Sequence, residues 1–466
     1  MSQHAPGARS SSRRLRVDAL AVLALLLPLL TVAALLLVQP EAPAEAPQAP
    51  TRTALTNATL VCPTALPGGE LALLGTAQRG VTGTVTVRAG SRETRVRLAP
   101  GRLSGVAAGA GPLTVTGEGD LAPGLVGGRS SAARSTGVAA TACPAPSPDQ
   151  WFTGVGAGAE HASVLELVNP DAGPALADVT VLGPTGPLDV PRLRGVAVPG
   201  RSSVRLDLAS VAPRRGELSL RVATSRGRLS ATVLDSVDEL GAGRRSQDWL
   251  AAQSAPSTDN LLLGLPGGGG TRTLLVANPG DDEVRVELRI VSTKSTFAPA
   301  GVEPVRVAPG STGRVSVAEP VAAALRDGAL GLELTSSGPV TASLRTVAAG
   351  DLAETVPSTT FEDETLAVLP GGAARLLLAG AETDGTATVT GWTAGGRRVL
   401  RTRAEVTPSR GTAVRLPASV RLVSVDPART PLRAGVLVEG GSGATVLPLT
   451  ALVRNGLVPS VRPGLS

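Results

Sequence analysis

The chain has 466 residues and a formal net charge of +6, from 44 basic and 38 acidic side chains. This excess is too small to indicate a nucleic-acid partner. With no tyrosine, three phenylalanines and three tryptophans, the chain also lacks the aromatic platforms on which sugar subsites and single-strand nucleic-acid modules depend. Abundant glycine (56) and proline (38) favour short strands and turns over long helices.

An apolar run at residues 19–38 follows an N-terminal tail, 1–18. As a helix the run would rise about 30 Å, the hydrocarbon thickness of a bilayer, so we predict a transmembrane helix. Four arginines precede it and Glu41 is the first charge after it. The positive-inside rule therefore predicts a cytoplasmic N-terminus and an extracytoplasmic bulk. A cleaved signal peptide is the alternative, because residues 42–44 read Ala-Pro-Ala, and the mature protein would then be secreted.

Residues 39–56 form an Ala/Pro-rich linker that should be extended. The two cysteines, Cys62 and Cys143, follow it and lie outside the membrane in this topology, where a disulfide persists. Their pairing would close a loop of about 80 residues and stabilise the fold by up to about 4 kcal/mol on the chain-entropy model. Because no Cys-x-x-Cys spacing occurs, we predict a structural bridge rather than a redox pair.

Beyond the linker the chain repeats itself. Leu-Glu-Leu-Val-Asn-Pro ending at Pro170 recurs as Leu-Leu-Val-Ala-Asn-Pro ending at Pro279, and the turn Pro199-Gly200 recurs as Pro309-Gly310. Apolar and polar residues alternate over 204–208, the period of a half-buried strand. The pattern thus predicts that each repeat folds into about seven short strands, arranged as a β-sandwich of Ig-like size. The alternative is a propeller with two four-stranded blades in each repeat.

The predicted fold class is an all-β ectodomain of tandem Ig-like β-sandwich repeats after a single N-terminal transmembrane helix. The central two repeats share the motifs above, and the outer two are marked only by turns at Pro100-Gly101 and Pro408. The predicted units are a first β unit with the disulfide at 57–146, a second β-sandwich repeat at 150–252, a third at 258–350 and a fourth β unit at 363–458.

Residues suited to catalysis or metal binding are few. His161 lies two positions before Ser163, but a third orienting group is not evident, and a lone histidine in a glycine-rich turn is usually solvated. The single lysine, Lys294, has neither P-loop nor Ser-x-x-Lys spacing. The acidic run 281–283 is interpreted as a solvated turn, because the ligand spacing of an EF-hand is absent, and a Ca²⁺ site is the alternative. We predict no catalytic residue, no cofactor and no metal site.

The few large aromatic side chains lie near predicted unit starts or within a strand. We interpret Trp151, Phe152, Trp249 and Trp392 as core or interdomain packing rather than ligand contacts. Arginine pairs, such as 397–398, are interpreted as solvated loops, with contact to anionic wall polymers as the alternative.

Several of these marks together resemble a known family. An N-terminal anchor, an early Val-Cys-Pro, a second cysteine followed by Trp-Phe, and repeats with Leu-Val-Asn-Pro and Val-Pro-Gly turns resemble an actinobacterial membrane-anchored family catalogued as domain of unknown function 5719. The resemblance implies a location in the cell envelope. Relatives are commonly encoded beside a large membrane glycosyltransferase, which implies a link to envelope-polysaccharide biogenesis, but the family supplies no active-site residues.

The predicted function is that of a non-enzymatic, single-pass cell-membrane protein, a scaffold or accessory subunit in envelope or polysaccharide assembly. An exported binding module for wall polymer or a small ligand is the alternative, and a hydrolase would need two carboxylates facing each other across a pocket. The expected partners are the membrane, an envelope glycosyltransferase or other envelope protein, and anionic wall polymer, with no nucleic acid.

Overall fold

The computed structural model describes residues 19–37, 50–69, 71–77, 80–107, 109–133, 137–239, 244–253, 255–441 and 443–458. The predicted cytoplasmic tail and most of the predicted linker lie outside the described residues. Within them the chain is almost entirely β, with several sheets and three α-helices. The all-β prediction is therefore confirmed.

Helix α1 (Ala19–Leu37) has 19 residues with Pro28 inside it, and the hydroxyl of Thr31 donates to Pro28 O at 2.8 Å. Among the described residues no helix is found that is long and apolar enough to cross a membrane. The transmembrane assignment stays a prediction. The described residues up to Thr53, together with Leu457 and Val458, form a small unit, and residues 54–456 form a large one.

The large unit consists of four strand groups that follow one another along the chain. Strand β1 (Thr51–Ala54) precedes them and pairs with the last strand among the described residues. The first group contains β2 (Asn57–Cys62), β3 (Leu71–Thr76), β4 (Gly83–Ala89), β5 (Arg92–Leu98), β6 (Ser104–Ala107), β7 (Leu113–Glu118), β8 (Leu125–Ala133) and β9 (Gly137–Ala142). Its two sheets have the orders β2-β7-β4-β5 and β6-β3-β8-β9. Apolar residues of both sheets share one core, in which a disulfide joins Cys62 to Cys143.

The second and third groups have matching topologies. The second contains β10 (Asp149–Ala157), β11 (His161–Val168), β12 (Ala175–Gly183), β13 (Gly186–Leu188), β14 (Val196–Val198), β15 (Ser203–Asp207), α2 (Leu208–Val211), β16 (Arg215–Arg226), β17 (Ser230–Glu239) and β18 (Arg244–Leu250). The third contains β19 (Ser257–Leu263), β20 (Gly270–Asn278), β21 (Val284–Ser292), β22 (Thr296–Phe297), β23 (Val305–Val307), β24 (Ser311–Ser316), α3 (Ala318–Arg326), β25 (Ala329–Ala348) and β26 (Asp351–Thr355). Strand β26 pairs with β25, so this group extends past residue 350, where the repeat was predicted to end.

One long strand in the third group replaces two strands of the second. Strand β25 has 20 residues; its first part pairs with β19 and β21, as β16 pairs with β10 and β12, and its second part pairs with β20, as β17 pairs with β11. Apolar residues at corresponding positions of these strands are fully buried, including Leu220 and Leu332. The repeated sequence pattern therefore encodes the inward-facing side chains of equivalent strands.

The fourth group repeats the topology of the first. It contains β27 (Thr365–Val368), β28 (Ala373–Ala379), β29 (Gly385–Trp392), β30 (Arg398–Val406), β31 (Thr412–Leu416), β32 (Leu422–Ala428), β33 (Arg433–Gly440) and β34 (Gly443–Pro448), and β35 (Asn455–Val458) ends the described chain. Its sheets have the orders β27-β32-β29-β30 and β31-β28-β33-β34. Each sheet takes strands from both halves of the group, so the halves are not separate blades and the propeller alternative is wrong.

The four groups contact one another in a closed cycle. Their last strands meet in the sequence β9 with β18, β18 with β26, β26 with β34, and β34 with β9. Trp249 packs on Leu66 and Ala139 between the first and second groups, as the sequence analysis predicted for interdomain packing. Trp151 packs on Ala277 of the third group, and Trp392 packs with residues of the first group. Each tryptophan thus lies at a joint of the cycle.

Candidate functional site

The repeated Asn-Pro motif forms a buried turn. The amide nitrogen of Asn278 donates to Asp282 O at 2.7 Å and to Val307 O at 3.1 Å, and its Oδ1 accepts from Gly280 N at 2.9 Å. Asn169 makes the matching bonds to Gly173, Val198 and Asp171. Both asparagines are about fully buried, at 0 and 1 % exposed, and all these partners are backbone groups. The side-chain amide of the motif that dominates the repeat therefore fixes a turn.

The last strands of the four groups meet at a buried site that we call the four-strand junction. Asp351, at the start of β26, lies within it and is 4 % exposed. Its Oδ1 accepts from Ser246 Oγ of β18 at 2.8 Å. Its Oδ2 accepts from Ala444 N of β34 at 2.8 Å and from Val138 N of β9 at 3.3 Å. One carboxylate of the third group thus bonds to each of the other three.

Two glycines make room for this carboxylate. Gly137 has φ +85° and Gly443 has φ +138°, backbone conformations that L side chains rarely adopt. A Cβ added at either position would lie 1.6 Å from an oxygen of Asp351. Burial raises the pKa of Asp351, and the hydrogen bonds from Ser246 and the backbone amides oppose that rise.

Two further carboxyl groups lie next to the junction, Asp248 on β18 and Glu354 on β26. Asp248 accepts from Glu354 N at 3.2 Å and from Trp249 N at 2.9 Å, and Thr445 Oγ1 of the fourth group lies 3.3 Å from its Oδ2. Burial raises the pKa of both carboxyl groups well above the usual range, and neighbouring acids raise it further. Among the described residues no group of three metal-ligating side chains is found.

His161 belongs to a second polar cluster, at the joint between the second and third groups. Its Nε2 lies 2.8 Å from Asp235 Oδ2, and its Nδ1 lies 3.4 Å from Glu217 Oε2. Arg345 of the third group donates to Glu217 Oε2 at 2.8 Å, and its Nη1 lies 2.9 Å from His161 Nδ1. Burial opposes protonation of His161, but Asp235 and the hydrogen bond with Glu217 outweigh burial and raise its pKa to about 9.

The charges in this cluster balance across the joint. Burial acts to raise the pKa of Glu217, but hydrogen bonds from His161 and Arg345 prevail and lower it to about 2. Burial likewise acts against the charge of Arg345, and its ion pair with Glu217 keeps its pKa above the usual value. Removing one partner of such a buried ion pair leaves the charge of the other partner buried and unpaired, which is costly. The cluster therefore stabilises the contact between the second and third groups.

The position of Ser163 does not suit nucleophilic catalysis. Its hydroxyl donates to Asp235 and accepts from Gly156 N at 2.8 Å. A catalytic serine instead gives its proton to the histidine and faces a substrate, whereas Ser163 is 0 % exposed. His161 is therefore not a lone, solvated histidine: its acidic partner Asp235 lies directly across from Ser163 in the β11–β17 register. Only the strand pairing could have shown it.

The acidic run predicted as a turn is solvent-exposed. Asp281, Asp282 and Glu283 all face solvent, and Glu283 Oε1 lies 3.4 Å from Arg306 Nη1. Lys294 is also exposed and lies 3.9 Å from Asp327. Glu283 and Lys294 thus form surface ion pairs, which contribute little to stability.

A cleft of about 450 Å³ lies between the first and second groups. The first group contributes Arg88 and Thr114 to its walls, and the second contributes Arg201 and Ser202. None of its described lining residues is acidic, although Arg88 is paired with nearby Glu93 at 2.6 Å. Guanidinium and hydroxyl groups of this kind suit an anionic ligand.

Comparisons with known proteins identify a family but no activity. No curated protein matches the chain. A family of unknown function, DUF5719, matches residues 103–417. The matched region includes the whole of the second and third strand groups and reaches into the first and fourth. Since it covers more than half of the chain, the protein belongs to the family of unknown function DUF5719.

Proposed function

We propose that the protein is a non-enzymatic scaffold or accessory subunit in envelope or polysaccharide assembly. The observation that carries this proposal is the closed cycle of strand groups, whose most reactive side chains are used in the joints. Asp351 bonds to three neighbouring groups, and the His161 cluster is closed by Arg345 of the third group. Because these side chains already bond to neighbouring groups, we expect them to stabilise the arrangement of the surface rather than to carry out a reaction.

The location in the cell envelope is part of the proposal. It is supported by the apolar run 19–38, by the arginines before it, and by the disulfide between Cys62 and Cys143, a bond that persists outside the cytoplasm. We further propose that the groups are Ig-like sandwiches, because each packs its strands around one core and is of the usual size. The proposed partner is an envelope glycosyltransferase or another envelope protein.

Crosslinking in intact membranes tests the scaffold proposal. A photo-reactive residue in place of Phe297, which is 36 % exposed on β22, would sample the surface of the third group. The matched control places the same residue at Phe361, which is 2 % exposed in the core of the fourth group. Mass spectrometry should find that one envelope protein dominates the products crosslinked from position 297 and is absent from the control. The crosslink to that protein should also be lost when residues 1–38 are replaced by an unrelated anchor. Capture of no particular protein would contradict the proposal.

The cleft between the first and second groups favours a second candidate, a binding module for wall polymer or a small ligand. The guanidinium group of Arg201 and the volume of the cleft suit an anionic sugar. The purified full-length chain should then bind such a ligand saturably. Loss of that binding in Arg201→Gln would support the candidate, and its absence from the wild-type chain would contradict it.

A further inference from the structure

Strand β5, at the edge of one sheet in the first group, carries arginines without acidic partners. Arg95 and Arg97 are exposed on the outer face of the sheet. Their cross-strand neighbours on β4 are Thr86 and Thr84, respectively. Within the part of the chain that the structure describes, neither arginine has a carboxylate within ion-pair distance. The only acid of this strand, Glu93, is already paired with Arg88 at 2.6 Å.

The fourth group repeats this arrangement on its own edge strand, β30. Arg401 and Arg403 are exposed and lie opposite Thr390 and Thr388 of β29. Neither has an ion-pair partner among the described residues. The same chemistry therefore occurs twice, at equivalent places in two groups of the same topology.

In the central two groups, five exposed arginines lie within 4 Å of a carboxylate. These ion pairs are Arg221 with Asp149, Arg228 with Asp171, Arg285 with Glu287, Arg289 with Glu333, and Arg306 with Glu283. Neutralised arginines attract an anion weakly, whereas the four arginines of β5 and β30 have no such partner.

The joint between the first and fourth groups brings the two strands toward one another. The turn that follows β5 contacts the loop that precedes β30: Leu103 N donates to Ala394 O at 3.0 Å. In the same turn Gly101 packs on Trp392, since a Cβ added there would lie 3.3 Å from its Nε1. The two sets of arginines are thus attached to the two sides of one joint.

We propose that Arg95, Arg97, Arg401 and Arg403 form a basic strip that binds a linear acidic glycan, a polymer with repeated carboxylate or phosphodiester groups. Guanidinium groups bind both kinds of anion in a bidentate manner. The threonine hydroxyls opposite Arg95, Arg97 and Arg403 can both donate and accept hydrogen bonds, as sugar hydroxyls require. The strip contains no aromatic side chain on which a nucleic-acid base could stack. For its class of ligand this inference rests on the binding-module candidate, to which it adds a second surface.

The test measures binding of fluorescent polygalacturonate and fluorescent poly(glycerol phosphate) to the full-length chain in a nonionic detergent. Two strip variants, R95Q/R97Q and R401Q/R403Q, each lose two positive charges. The matched control, R285Q/R289Q, loses the same charge from exposed positions of strand β21 in the third group. We expect each strip variant to weaken binding of at least one polymer by about tenfold at low salt, and the control to change it by less than about twofold. The strip variants should also reduce the salt dependence of binding.

Each contrary result has a distinct meaning. No saturable binding of either polymer by the wild-type chain would overturn both the strip and the binding-module candidate. Wild-type binding that both strip variants retain would overturn the strip alone. An equal loss in R285Q/R289Q would show that net charge, not the strip, attracts the polymer. Equally tight binding of oligothymidylate at the same salt would overturn the assignment to a glycan.

Discussion

Asp351→Ala removes the acceptor that the second, first and fourth strand groups share. Two of its donors are the backbone amides of Ala444, at 2.8 Å, and Val138, at 3.3 Å, and each buried amide left without an acceptor costs about 1–3 kcal/mol. Burying a carboxylate costs free energy, as the raised pKa of Asp351 reflects, and the alanine variant no longer has this cost. This gain offsets part of the loss. We therefore expect the free energy of unfolding to fall by about 2–4 kcal/mol.

Asp351→Asn is the matched control. Its Oδ1 can accept from both amides while its amide nitrogen donates to Ser246 Oγ, so we expect a loss below about 1 kcal/mol. The two variants should also differ from the wild type in pH dependence. Because burial raises the folded-state pKa of Asp351, the folded state holds its proton to a higher pH than the unfolded state, and this residue destabilises the fold as pH rises through that window. Neither variant should show this contribution.

Urea unfolding and amide hydrogen exchange measure these effects. In Asp351→Ala, peptides that contain Val138 and Ala444 should both exchange faster, although they belong to the first and fourth groups. A loss below about 0.5 kcal/mol, within ordinary surface-substitution effects, would refute the assigned role. So would an equal loss in Asp351→Asn, because the hydrogen bonds would then not be the cause.

Three further predictions concern the turns, the histidine cluster and the disulfide. Asn278→Ala should lower the free energy of unfolding by about 2–3 kcal/mol, since its backbone partners stay buried; an unchanged thermal midpoint would contradict this. The raised pKa of His161 contributes stability that is full below about 6.5 and is lost as pH rises through about 9. A series of unfolding curves across that window should show the loss in the wild type and a flatter profile in His161→Gln. Replacing Cys62 and Cys143 by serine should cost up to about 4 kcal/mol for the loop they close, and reduction of the wild type should reproduce the same loss.

The all-β class and the central repeats could be predicted because their signals are local. Alternating apolar residues mark inward-facing positions, and the Asn-Pro turns at Pro170 and Pro279 recur with their strands. The replacement of two strands by the single strand β25 could not be predicted from the sequence, because the pattern of inward-facing residues is the same in both arrangements.

The joints could not be predicted, because their residues are far apart in sequence and of ordinary types. Asp351 contacts residues as distant as Val138 and Ala444, and no spacing rule relates them. Asp235 was missed beside His161 for the same reason: the two meet only when β11 pairs with β17. The tryptophans were the one usable signal, since large aromatic side chains near unit boundaries favour packing between units.

The contact between the first and fourth groups closes the cycle on which the scaffold proposal depends. A Cβ at Gly128 of β8 would lie 3.0 Å from Val368 Cβ of β27. A disulfide holds its Cβ atoms about 3.5–4.5 Å apart, so a bridge here needs the two strands to separate by about 0.5 Å. In the full-length chain, Gly128→Cys with Val368→Cys should therefore oxidise to a second bridge, identified by mass spectrometry of a non-reduced digest. The control, Gly128→Cys with Phe297→Cys, should keep two free thiols. Free thiols in both variants, or equal bridging in both, would contradict the closed cycle.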